Sequence, residues 1–80
     1  MTSEIQTEGE VSELVFDLAN IECARQLAQV MRQEFGLAPR FVPSIYQNRI
    51  RVKAAVDTAH ALLLREEIGK RAVEIEIEST

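Results

Sequence analysis

The sequence predicts one α+β domain of element order β-α-β-β-α-β, and three patterns carry that prediction. Arg49-Ile50-Arg51-Val52-Lys53 alternates basic with apolar residues, and Val73-Glu74-Ile75-Glu76-Ile77-Glu78 alternates acidic with apolar residues. A two-residue beat of this kind marks a strand with one face in the core and one in water. Between the N-terminus and the first ladder, Ile21, Ala24, Leu27, Ala28, Met31 and Phe35 recur at steps of three and four, the stripe of an amphipathic helix.

Residues 1–10 are polar and without period, and read as a flexible tail before a domain spanning 11–80. The first strand is placed at Val11–Leu18, with Leu14, Phe16 and Leu18 on one face and Glu13, Val15 and Asp17 on the other. Asn20 suits the N-cap of the first helix, Gly36 a left-handed C-terminal position, and Pro39 prevents continuation. A hairpin follows. A two-residue turn at Gln47-Asn48 pairs Ile45 with Ile50, Pro43 with Val52 and Phe41 with Ala54, and gathers their apolar side chains on one face. Pro43 has no N–H for a ladder, so its strand belongs at a sheet edge. Asp57 or Thr58 is placed as the cap of a second helix running to about Ile68, with Gly69 as its stop. Ala61, Leu64 and Ile68 form its core stripe, and Arg71–Glu78 make a last strand.

With right-handed crossovers this order gives the ferredoxin-like arrangement: a four-stranded antiparallel sheet of order 4-1-3-2 with both helices on one face. In that arrangement Glu13 and Asp17 face Arg49, Arg51 and Lys53 across strands, while Glu74, Glu76 and Glu78 form a less compensated acidic edge suited to a basic partner. The second helix carries a surplus. Leu62 and Leu63 point about 100° and 200° from Ala61, away from the stripe, and a contiguous exposed apolar patch marks an interface. A homodimer or partner contact is therefore expected through Leu62 and Leu63, or through the second-strand edge with Val42 and Tyr46.

The 80 residues suffice for one core, and 46% hydrophobic with 28% charged residues is ordinary for a globular chain. A net charge of −4 with pI near 4.9 argues against binding nucleic acid, which needs a basic surface. The outward positions of the inner strands carry no aromatic residue on which a base would stack. No apolar run approaches a membrane span, and the first residues lack a signal-peptide pattern. With a single cysteine, Cys23, these features lead to the expectation of a cytoplasmic protein away from membranes.

Chemistry has few candidates. A nucleophile–base pair would have to use His60, the sole histidine, with Cys23 or a hydroxyl, and no orienting third group or strained turn accompanies them. Glycines number three and none cluster, so no phosphate cradle is formed and no cofactor is expected. The segment Ile21-Glu22-Cys23-Ala24-Arg25-Gln26, between first strand and first helix, resembles the Met-x-Cys-x-x-Cys loop of heavy-metal-associated domains, small copper-carrying ferredoxin-like modules. Only Cys23 matches that motif, and Gln26 stands in place of the second thiolate. The resemblance implies a degenerate metal module using Cys23, with a second Cys23 across a dimer completing the pair of soft ligands. The function expected from the residues themselves is a non-enzymatic interaction or regulatory module that associates with itself. A small-molecule-sensing regulatory domain is the further alternative.

Overall fold

The computed structural model describes residues 10–43 and 49–79. Their order is β1 (Val11–Leu18), α1 (Ile21–Phe35), β2 (Arg40–Pro43), β3 (Ile50–Asp57), a 3-10 turn (Thr58–His60) and α2 (Ala61–Glu78). The sheet is antiparallel with three strands in the order β1-β3-β2. Leu14, Leu18, Val52, Ala54 and Val56 turn one face of it toward Cys23, Ala24, Leu27 and Met31 of α1 and Ile68 and Ile75 of α2, and together these make one core. The opposite face of the sheet carries the charge.

The first helix follows its sequence signals closely. Asn20 is extended, and its side-chain oxygen accepts from the Cys23 N–H at 2.9 Å, satisfying a donor the helix itself cannot. Gly36 closes the helix at φ 67°, and its own N–H and that of Leu37, the latter at 3.0 Å, both donate to the Met31 carbonyl, so the left-handed ending satisfies a carbonyl the helix leaves open.

The hairpin differs from the expected register by two residues. Phe41 lies opposite Val52, Val42 opposite Arg51 and Pro43 opposite Ile50, so the predicted partners Ala54 for Phe41 and Val52 for Pro43 are corrected. A slip of two keeps every side chain on its face, and for that reason the apolar set alone did not separate the two registers. The predicted turn at Gln47-Asn48, Ile45 and Tyr46 lie outside the described residues. Pro43 stands on an edge strand as expected.

The largest correction is at the C-terminus. Residues 71–78 are helical, Gly69 does not stop α2, and the described residues form three strands in place of the expected four-stranded order 4-1-3-2. The physical reason lies in a longer period: Ala61, Leu64, Ile68, Ala72 and Ile75 step by three, four, four and three. All five sit in or against the core. The alternation of 73–78 spans less than two helical turns, and continuing the helix lets Ile75 complete that stripe. Arg71 holds the segment by bonding Glu34 of α1 and by an ion pair with Glu74 at 3.5 Å. A glycine within a helix costs only about 1 kcal/mol relative to alanine, less than the burial of Ile75, worth about 1.5–3 kcal/mol.

Smaller corrections follow at the other end of α2. Neither Asp57 nor Thr58 caps it through a side chain. Asp57 instead meets His60 Nδ1 at 3.2 Å, and the Thr58 hydroxyl meets that of Ser12 at 2.8 Å. Glu10, assigned to the tail from sequence, accepts from the Thr58 N–H at 3.4 Å just beyond the β1–β3 ladder.

Candidate functional site

The two reactive side chains lie at opposite ends of the sheet. Cys23 sits in the first turn of α1, next to the Leu18 end of β1, while His60 follows β3 beside the Val11 end. Eight-residue strands separate those ends by roughly 20 Å, so no nucleophile–base pair is assembled. Cys23 is 0% exposed and its Sγ lies 3.3 Å from the Ser79 hydroxyl. A thiol covered by the end of α2 does not meet a second copy's thiol unless that helix end lifts away. Among the described residues, no group of three or more His, Cys, Asp or Glu side chains is placed to hold a metal ion.

The charged face of the sheet pairs internally. Asp17 meets Arg51 Nε at 3.2 Å, and its backbone carbonyl accepts from Arg49 at 3.2 Å. Glu13 pairs with Arg40 of β2, reaching over β3, rather than with the expected Arg49, Arg51 or Lys53. Arg40 was missed because the hairpin register alone decides which β2 residue lies beside Lys53. These exposed pairs contribute little, about 0.2–1 kcal/mol each.

Helix formation also dissolves the acidic edge. Glu74, Glu76 and Glu78 are distributed around α2 by its 100° step rather than aligned. Glu74 pairs with Arg71, and Glu76 accepts from the Ala19 N–H at 2.8 Å. A strip of parallel carboxylates for a basic partner is therefore absent. Val42 is half-buried on the charged sheet face, opposite Arg51.

What remains is an apolar surface along one side of the molecule. Leu62 is 78% exposed, Val73 58% and Ile77 67%. With Gly69 they step along α2 at intervals of seven, four and four, a second apolar stripe beside the one that faces the core. Leu63, 59% exposed, lies further round the helix. Sequence reasoning found Leu62 and Leu63 but missed Val73 and Ile77, because a strand reading put both in the core.

This stripe borders the outer edge of β1. Glu76 marks the junction, since its carboxylate reaches the Ala19 N–H just beyond the strand. At the other end a groove separates the strand from the helix, lined by Ser12, Glu13 and Val15 on one side and Ala61, Leu62 and Arg65 on the other. Among the described residues no strand pairs with this edge.

The direction of its backbone groups follows from the ladder. The bond from Thr58 N–H to the Glu10 carbonyl makes Glu10–Thr58 a hydrogen-bonded pair, so the even-numbered residues of β1 exchange bonds with β3. The N–H and C=O groups of Val11, Glu13, Val15 and Asp17 consequently point outward. The same alternation turns the imino nitrogen of Pro43 away from β3, so this edge strand has no outward N–H at that position.

No helix among the described residues is long and apolar enough to cross a membrane. Comparison of the chain with family models, curated proteins and solved structures gives no significant match.

Proposed function

We propose that this chain is a non-enzymatic protein-interaction module that associates with itself through the side formed by α2 and the outer edge of β1. One observation carries the reading: α2 is apolar on two faces and buries only one. A helix of that kind calls for a second burial surface, and Leu62, Val73 and Ile77 are the side chains left for it. The distance between Cys23 and His60 supports a binding role over a catalytic one. The burial of Cys23 favours a packing role for its thiol over metal carriage, and a single cysteine fits a reducing, cytoplasmic setting. Sedimentation velocity tests the reading. The chain should form a discrete oligomer, and the double variant Leu62→Glu/Val73→Glu should sediment as a folded monomer. A wild-type chain that stays monomeric up to about 1 mM, where even a 4 kcal/mol association is visible, refutes self-association.

A further inference from the structure

We infer that the partner on this surface is a second copy of the chain whose β1 adds antiparallel to β1, giving a continuous six-stranded sheet of order β2-β3-β1-β1′-β3′-β2′. The inference rests on the self-association proposed above and specifies its geometry.

The two edges of the sheet are built differently. The β2 edge, described over Arg40–Pro43, carries Pro43, which removes a donor and blunts strand addition. The β1 edge is eight residues long, has no proline, and presents Val11 and Val15, 68% and 47% exposed. Its C-terminal end is occupied, since Glu76 takes the Ala19 N–H and Arg49 takes the Asp17 carbonyl. The outward groups of Val11, Glu13 and Val15 have no partner among the described residues. An antiparallel two-fold partner fits that central span.

Outward groups belong to odd-numbered residues, so odd must pair with odd about the two-fold axis. Centring the axis on Glu13 pairs Val11 with Val15′ on both sides and brings the two Glu13 side chains together. Their repulsion is offset from two directions. Each Glu13 is already held by its own Arg40, and Arg65, which lines the same groove, makes no ion pair among the described residues. The axis thus collects two glutamates and four arginines.

The available apolar area is small. A fully buried aliphatic side chain corresponds to about 60–120 Å², so Val11, Val15 and Leu62, the exposed apolar residues beside the paired span, supply roughly 120–230 Å² per copy at their exposures. A standard interface has about 450 Å² of apolar surface on each side, so the pairing rests chiefly on strand hydrogen bonds and belongs to the small, weakly associating class.

The test is the dimer dissociation constant of the full chain, measured by sedimentation equilibrium. Val15→Pro removes one outward N–H and none of the bonds to β3. Val15→Glu places a carboxylate opposite Lys53, a favourable pair within one copy, but sets it against Val11′ across the interface. Both variants should weaken the dimer at least tenfold. Hydrogen exchange on the wild-type chain gives an independent readout: the amides of Val11, Glu13 and Val15 should become protected as concentration rises. A dimer lost in Leu62→Glu/Val73→Glu but unchanged in both Val15 variants, with those amides unprotected, overturns strand pairing and leaves the self-association reading standing. A monomeric wild-type chain overturns both.

Discussion

Replacing Gly69 by alanine tests the helical C-terminus most directly, because the helical and strand readings give opposite signs. Within α2, Gly69 has helical backbone and no positive φ; Gly36 is the only glycine with one among the described residues. A Cβ built at position 69 meets one neighbour, Phe16 Cε1, at 3.9 Å, an ordinary van der Waals contact. Gly69→Ala therefore removes a helix-propensity penalty of about 0.8–1.0 kcal/mol without a clash. The expected result is a gain of about 1 kcal/mol, or a Tm rise of roughly 4–8 °C for a chain of this size. If Gly69 instead ended a short helix in a left-handed conformation, alanine would cost about 1–2 kcal/mol. The two outcomes lie some 2–3 kcal/mol apart. Urea unfolding followed by far-ultraviolet circular dichroism resolves that gap, at matched protein concentration because association shifts apparent stability. An unchanged m-value with a raised midpoint supports the continuous helix. A loss of stability refutes it.

The remaining expectations follow from the same geometry. Gly36→Ala should move stability the other way, losing about 1–2 kcal/mol through the left-handed conformation at φ 67°, as read by the same unfolding titration. Asn20→Ala should cost about 0.5–2 kcal/mol by leaving the Cys23 N–H without its side-chain acceptor, with thermal melts as the check. Val73 and Ile75 should separate sharply. Ile75→Ala, at a 7% exposed core position, should cost about 2–5 kcal/mol. Val73→Ala should change monomer stability by less than about 0.5 kcal/mol, whereas a strand reading makes the two equal. Glu78→Lys should stabilise by about 0.3–1 kcal/mol, since α2 ends with no basic residue in its last turn to offset the partial negative charge of its carbonyls. Raising the salt concentration should shrink that gain.

The first half of the fold was legible because its signals are local. Asn20, Gly36 and the 21–35 stripe define α1 through bonds within a few residues of the chain. The β1 and β3 faces follow from a two-residue beat that only a paired strand accommodates, and Pro43 declares its edge by lacking a donor. Where the sequence offered two periods at once, the local signal was not enough. Residues 73–78 alternate like a strand, yet Ile75 also completes the spacing begun at Ala61. Only packing against α1 and β1 selects the helix, by burying Ile68 and Ile75 together. That choice reassigns the functional surface. It turns Val73 and Ile77 outward, scatters the glutamates, and leaves the outer side of β1 without a strand neighbour among the described residues. The sequence by itself determined the strand–helix–hairpin start, the charged sheet face and the excess of leucine on α2. Tertiary packing settles the hairpin register, the Glu13–Arg40 pair, the separation of Cys23 from His60 and the β1 edge that no described strand covers. Each of these depends on which distant segments meet, and a spacing along the chain carries no information about that.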